Sequence, residues 1–353
     1  MMDFERELIE IDGSYGEGGG QILRTSLAIA TIMNRPVRIY NIRSKRKNPG
    51  LQAQHLKGIE ALIQISEGYG EGVKLGSEEI FFYPGKIKSG EYYFDIGTAG
   101  SVTLLLQTLI LPLCFTKEKT RLIIKGGTHV QWSPPFHYFT YILFPILNSM
   151  GINIKSGIEK WGWYPKGGGK VWIEIEPPKE LTPISLTERG CLKRIRGISA
   201  TCNLPKHIGE RQKDYIMEKI YKLLGLTVEK IDVLNDVPGE GKGSFLFIIV
   251  ESDKSIAGFS ALGERGKKAE EVSEEVFSSL KEYIESGCSI DPNLSDQLIP
   301  FMAFATGNSS FSTSKITEHL LTNLWVVSRF LDLKIKKFGE KGRPGKVEII
   351  KQQ

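Results

Sequence analysis

"IDGSYGEGGGQILRTSLAIAT", from Ile11 to Thr31, crowds five glycines into the eight residues Gly13 to Gly20, around a single carboxylate, Glu17. An apolar run follows, with Arg24 near its start. Glycines let backbone N–H groups approach a ligand closely. A helix start beyond them presents unpaired N–H groups and a positive dipole end, which suits phosphate. The stretch is not the dinucleotide G-x-G-x-x-G, and no Gly-Lys-Ser/Thr follows to make a P-loop. A tight strand-to-helix turn with no ligand is the competing reading of the same residues.

Outward from this turn the chain repeats itself three times, weakly. The strand "IEIDG" leads through the glycines into a helix from Gln21 to Met33, then "PVRIYNIR", the helix "LQAQHLKGIEALIQI" and the strand "EEIFFYPG". A second copy runs from "FDIGTAG" through the helix "SVTLLLQTLILPL" to "GKVWIEIE"; a third starts near "SIDPNLSDQLIPF" and closes with "KVEIIK". Between the second and third lies a strand–helix–strand segment. The pattern predicts an α/β (α+β) protein: a large domain, 1–184 and 288–353, of three βαβαββ-like units in pseudo-threefold arrangement, with a small α+β domain, 185–287, inserted. Alternation in "KVWIEIE" and "LFIIVES" predicts strands with one face on a helix layer. Similar turns in the three copies, Gly16–Gln21, Gly97–Ser101 and Asn293–Gln297, would converge on one region and gather helix starts for a polyphosphate.

The 353 residues carry a formal net charge of +5, unevenly spread. From Arg35 to Lys57 stand seven basic residues and no acid, interleaved with Tyr40, Asn48 and Gln54. Such a block is a solvated face or a contact for nucleic acid or polyphosphate. The four cysteines are scattered without a C-x-x-C pair, which argues against a zinc site or disulfide framework and fits a reducing cytoplasm. The longest apolar run, Val102 to Phe115, is too short to span a bilayer, and the polar N-terminus predicts no signal peptide.

Several motifs then match one family in place and in order. "DGSYGEGGGQILR" resembles the opening signature of the RNA 3'-terminal phosphate cyclase family, in its catalytic archaeal and bacterial branch. "GWYPKGGGKV" is similar to its second, glycine-triplet signature, and "HLLTNLWVVSRFL", from His319, to its active-site helix. "NPGLQAQHL" and "DIGTAGSVTLLLQT" also correspond, and the resemblance runs from about Leu8 to Ile350. It implies an ATP-dependent, Mg²⁺-requiring enzyme of RNA processing. A histidine takes AMP and releases pyrophosphate, AMP passes to an RNA 3'-phosphate, and the neighbouring 2'-OH closes a 2',3'-cyclic phosphate as AMP leaves.

The residues are compatible with that chemistry. Ligases that carry AMP on lysine use K-x-D-G, but the only Asp-Gly here is Asp12-Gly13, with Glu10 at the lysine position. Histidine, with an ordinary pKa near 6.5, is a nucleophile usable at neutral pH. Of five histidines, His319 heads the family-like helix, expected to start near Ser314. There the dipole disfavours the imidazolium and favours an incoming phosphate. His55, His129, His137 and His207 have no motif. The resemblance implies Glu17 as the Mg²⁺ ligand and Arg24 as a phosphate clamp. It also implies Arg43, Arg46 and Gln54 at the RNA terminal phosphates, and Gln107, Asn293, Leu294, Ser295, Asp296 and Gln297 for ATP. The family often has an aromatic in the last run, which this chain lacks, so adenine stacking falls to Pro135 or Phe136. "THVQWSPPF" departs from the pattern in its extra Trp132, and Lys160-Trp161 ahead of the glycine triplet is a further departure.

The partner so implied is RNA with a 3'-terminal phosphate and no membrane; monomer and homo-oligomer both stay open. A non-catalytic, RNA-binding relative acting in ribosome assembly is the alternative, opposed by retention of His319 and Glu17. Enolpyruvyl transferases share threefold units but not these signatures. A bare RNA-binding module would leave the Gly-rich turn and His319 without a joint purpose.

Overall fold

In the computed structural model, which describes residues 7–352, apolar and polar residues alternate as "IEID" requires: Ile9 and Ile11 are buried, Glu10 is exposed. This strand, β1 (Ile9–Asp12), joins β2 (Val37–Tyr40), β3 (Tyr69–Glu71) and β4 (Ile80–Tyr83) in the order β1-β2-β4-β3. β1 and β2 are parallel and the other two pairings antiparallel. The parallel step needs a crossover, supplied by α1 (Gly20–Met33), and α2 (Ala53–Ser66) follows β2.

The second sheet repeats order and sense. β5 (Glu91–Asp95), β6 (Thr120–Gly126), β7 (Asn153–Lys160) and β8 (Gly169–Glu176) run β5-β6-β8-β7, parallel in the first pair only. Helix α3 (Val102–Leu113) crosses over, and α4 (Phe136–Tyr138) continues through a π-helical turn into α5 (Phe144–Ser149).

β9 (Ser185–Leu186) begins a third sheet that the chain completes only after a detour. The detour holds β10 (Leu192–Cys202), α6 (His207–Leu224), β11 (Lys230–Leu234), β12 (Gly243–Ser252), β13 (Ile256–Leu262) and α7 (Ala269–Ser286), with strand order β11-β10-β12-β13. After it come α8 (Pro292–Phe304), β14 (Ser309–Thr313), α9 (Glu318–Phe330), β15 (Leu333–Phe338) and β16 (Gly345–Lys351). β9 pairs in parallel with β14, and β14-β16-β15 are antiparallel neighbours, so the third sheet has the order and sense of the first two. The class is mixed α/β, as expected.

Three local expectations are corrected. Ser185, assigned to the inserted segment, belongs with Leu186 to the third sheet, because its partner Ser310 lies beyond the detour. β3 was not foreseen; Gly70 interrupts its alternation. β12 is not half-buried: Leu246, Ile248 and Val250 face α6 and α7, while Phe245, Phe247 and Ile249 join the main core. "KVWIEIE", by contrast, keeps its alternation of buried and half-buried residues in β8.

The main core runs beneath α1, α2, α3, α8 and α9, with Leu27, Leu62, Leu109, Leu298 and Val327 fully or almost fully buried. α1 packs directly on α2, α3 and α9, and α8 on α9, which brings three helix starts from distant parts of the chain to one region.

Candidate active site

The Gly-rich turn ends in a helix start without a side-chain cap. Gly19 occupies the N-cap of α1, and no acid sits in the first turn. The starts of α3, α8 and α9 have side-chain partners. Ser101 Oγ accepts from Leu104 N of α3, the buried Asp291 carboxylate accepts from Asn293 and Leu294 N–H of α8, and Thr317 Oγ1 accepts from Leu320 N of α9. Of the converging starts, α1 alone keeps its donors free of side chains, and an anion can take them.

Two glycines of the turn are required by close approach. Gly16 has φ +56°, and a Cβ there would stand 2.5 Å from Thr322 Oγ1 of α9. A Cβ on Gly20 would stand 2.2 Å from His55 Nε2 and 3.0 Å from Arg24 Nη1. The first contact seats the turn on α9, and the second leaves room for the histidine and arginine behind it.

His319 is the second residue of α9, which begins at Glu318 rather than near Ser314, because Thr317 supplies the capping hydroxyl. Its Nδ1 lies 2.8 Å from Glu17 Oε2 and is also hydrogen-bonded to Gln21 Oε1. Both acceptors face Nδ1, so the neutral ring carries its proton there and leaves the Nε2 lone pair without a protein partner among the described residues. The hydrogen bond to Glu17 raises the His319 pKa above the ordinary imidazole value, against the opposing effect of burial. That reverses the expectation from the helix dipole alone: a full carboxylate charge in contact outweighs the partial charge of a helix end. Glu17 is pulled down to about 2, first by His319 and also by Arg46, whose Nη2 forms an ion pair with Oε1.

Behind this pair lies a polar network between α1, α8 and α9. Gln21 Nε2 donates to Asp296 Oδ2 at 2.8 Å, Asn323 Nδ2 donates to Asp296 O at 2.8 Å, and Thr25 Oγ1 donates to Asn323 Oδ1 at 2.8 Å. Burial pushes the Asp296 carboxyl up to about 7. Arg24 is brought down to about 10 by burial, opposed by Asp296 and Glu17. A cavity of about 40 Å³ opens here, lined by Gln21, Arg24, Thr25, Gln107, Asp296, Gln297 and Asn323 with apolar walls from Ile110, Leu111 and Phe301. Its polar lining is incompletely satisfied: Arg24 Nε and Gln297 Oε1 are buried without a hydrogen-bond partner among the described residues.

The structure therefore brings together Glu17, Arg24, Arg46, Gln107, Asp296, Gln297 and His319. It treats the other candidates differently. Leu294 is fully buried in the core, Ser295 Oγ donates to Pro292 O, and Asn293 is exposed. Pro135 and Phe136 are buried, and neither lines the cavity. Arg43 donates to Asn48 O at 2.6 Å and Gly50 O at 3.0 Å, holding its own loop. Gln54 Nε2 donates to Ser101 O at 3.2 Å, while its buried Oε1 has no partner among the described residues. Much of the basic segment is neutralised by acids from elsewhere: Arg35 by Glu7, Arg38 by Glu10 and Glu79, Arg46 by Glu17, and Lys57 by Glu60.

Gln21, Asn323 and His55 escaped sequence reasoning. Asn323 stands four residues after His319, on the same helix face, and that spacing was the available signal. His55 accepts from Gln52 N through Nδ1, and burial, with Arg24 and Arg43 nearby, drives its pKa down to about 3. It stays a neutral ring in a cationic corner. His129 and His137 lie elsewhere in the core, His129 stacked on Trp161 and His137 tilted against it. The Trp161 and Trp163 side chains of the glycine-triplet hairpin are buried there too, which gives that motif a packing role.

An RNA 3'-terminal phosphate cyclase profile matches residues 15–337. A protein named RNA 3'-terminal phosphate cyclase from Methanopyrus kandleri is 43% identical over 347 residues, 97% of this chain and 98% of its own length. The protein of that name from Thermococcus kodakarensis is 43% identical over 346 residues, 98% and 99% of the two chains. The chain belongs to the RNA 3'-terminal phosphate cyclase family. It is accordingly an enzyme, with an RNA-processing cyclase function supported by family. Among solved structures, the enolpyruvyl transferase NikO from Streptomyces tendae aligns with a TM-score of 0.29 at 9% identity, covering 98% of this chain and 81% of its own, a score too low to show a shared fold. No helix among the described residues is long and apolar enough to cross a membrane.

Proposed function

We propose that this enzyme converts an RNA 3'-terminal phosphate into a 2',3'-cyclic phosphate at the expense of ATP, through a covalent His319–AMP adduct. The observation that supports this most directly is the pairing of His319 Nδ1 with Glu17 and Gln21 beside an uncapped helix start. With Nδ1–H held, Nε2 is the nucleophile. It attacks the α-phosphorus of ATP, a P–N bond forms, and the bond to the β-phosphate oxygen breaks as pyrophosphate leaves. An oxygen of the RNA 3'-phosphate then attacks the same phosphorus, breaking P–N and giving RNA capped by AMP. Finally the 2'-OH attacks the RNA phosphorus, losing its proton, and AMP departs.

The site suits ATP. The α1 N–H groups receive phosphate, Arg24 supplies charge, and the unpartnered Arg24 Nε and Gln297 Oε1 are polar atoms awaiting a ligand or water. The cavity itself has room for ordered water rather than a base, so the nucleotide belongs at its mouth. No group of three acidic, histidine or cysteine side chains among the described residues could cage a metal. Mg²⁺ held by one carboxylate, phosphates and water needs no such group, and Glu17 is the carboxylate that would hold it. There the metal would supply charge neutralisation on the phosphates. The three sheets of one order support three repeated units carrying an inserted domain at 192–286, and a cytoplasmic RNA substrate fits this reading.

Incubation with α-labelled ATP and Mg²⁺, followed by denaturing electrophoresis and peptide mapping, tests it. An acid-labile, alkali-stable adduct on His319 is expected. Absence of any adduct would favour a non-catalytic RNA-binding role, and label on another residue would displace His319.

A further inference from the structure

Trp132 is 97% exposed and has φ +63°, a left-handed backbone that a bulky side chain rarely adopts. Its indole has no hydrogen bond or ring contact among the described residues. The loop that carries it is nevertheless firmly held. Ser133 Oγ donates to Val130 O at 3.0 Å, Thr103 Oγ1 donates to Pro134 O at 2.6 Å, and Gln131 Nε2 donates to Glu264 Oε1 of the detour at 2.8 Å. A fixed loop thus presents a large aromatic face to water in a strained conformation, which costs stability without any compensating contact inside the protein.

The loop is anchored beside the active site. Thr103 lies one helical turn before Gln107, which lines the cavity, and Ser101, whose hydroxyl contacts Thr103 Oγ1 at 2.7 Å, accepts from Gln54. Both reactants proposed for this enzyme carry nucleobases, and an exposed indole is a stacking platform for any base. The buried Pro135 and Phe136 offer no comparable face. We propose that Trp132 stacks on a nucleobase of a bound substrate, either the adenine of ATP or a base near the RNA 3' end.

This rests on the functional reading above, so its test is made by binding rather than by turnover. Wild type, Trp132→Gly and Trp132→Phe are titrated with ATP by calorimetry and with a fluorescein-labelled, 3'-phosphorylated oligoribonucleotide by anisotropy. Glycine removes the ring and relieves the left-handed backbone, so Trp132→Gly should melt no lower than wild type. Its affinity for one of the two ligands should fall about tenfold, with most of it restored in Trp132→Phe. Loss for ATP alone assigns adenine; loss for the oligonucleotide, absent with a terminally abasic one, assigns an RNA base. Unchanged affinity for both ligands overturns the proposal. Equal weakening by Trp132→Phe and Trp132→Gly would overturn stacking as the cause. Wild type that binds with this dependence on Trp132 yet forms no adduct would instead overturn the reaction proposed.

Discussion

At the scale of residues, His319 and Glu17 form one unit. Glu17 holds His319 Nδ1 and raises its pKa, so the neutral ring that the proposed reaction needs becomes available only as pH rises through that elevated value. Glu17→Gln removes the charge and lowers the His319 pKa. The acid limb of a pH–rate profile for adduct formation should therefore move to lower pH, with a lower maximal rate expected from loss of the metal ligand proposed at Glu17. An unmoved limb would mean that Glu17 does not tune the histidine. His319→Ala should abolish the adduct while leaving the melting temperature near wild type, because the side chain is half exposed and Leu320 keeps its place in the core. The same variant should still cyclise RNA already adenylylated at its 3'-phosphate, where proximity of the 2'-OH supplies most of the rate. Failure on that substrate would give His319 a second role in ring closure.

At the scale of elements, two helix starts decide whether the unit assembles. Thr317 caps α9 one residue before Glu318 and two before His319. Thr317→Ala should cost about 1 kcal/mol, read from denaturant unfolding. It should also slow adduct formation, since fraying there moves the nucleophile first; a stability loss with a wild-type rate would separate the cap from the chemistry. At α1 the constraint is steric. Gly20→Ala places a methyl on His55 and Arg24, so ATP-dependent labelling should fall at least tenfold while circular dichroism stays native. The Gly-rich stretch was legible as a strand-to-helix turn from composition alone. Its seating on α9 through Gly16 and Thr322 was not, because residues some three hundred positions apart meet there only after both helices have packed.

For the whole molecule, the junction between the large fold and the inserted segment is aromatic. Phe245 of β12 packs among His129, His137 and Trp161, and His129 Nε2 lies 2.9 Å from His137 Nδ1. Burial lowers both histidine pKa values, His137 to about 4, and His129 well below the ordinary imidazole value, with His137 beside it adding to the effect. Below about pH 6.5 the unfolded histidines take up protons that the folded ones refuse. Stability is therefore complete above that pH and falls as pH drops toward 4. In His137→Gln the melting temperature should depend less steeply on pH between 7 and 4.5, even if it is lower throughout. An unchanged slope would place the acid sensitivity elsewhere, with the part-buried His55, whose pKa is lowered to about 3, the next candidate.

Local chemistry lies within reach of sequence. Glycine clusters, period-two strands and the His319 helix follow from backbone sterics and side-chain alternation, which act over a few residues, so the mixed α/β class and the helix that carries His319 could be read from the chain. Charge state and partnership could not. A segment with seven cations and no acid reads as free positive surface, yet Arg38 and Arg46 are paired with Glu10, Glu79 and Glu17 from other elements. The helix dipole at His319 reads as lowering its pKa, yet contact with Glu17 raises it. β12 reads as one-sided and is buried on both faces, because the detour folds back against the main core. Electrostatics and burial depend on distance in space, and those distances were set only when the three sheets, their helices and the inserted strands had packed together.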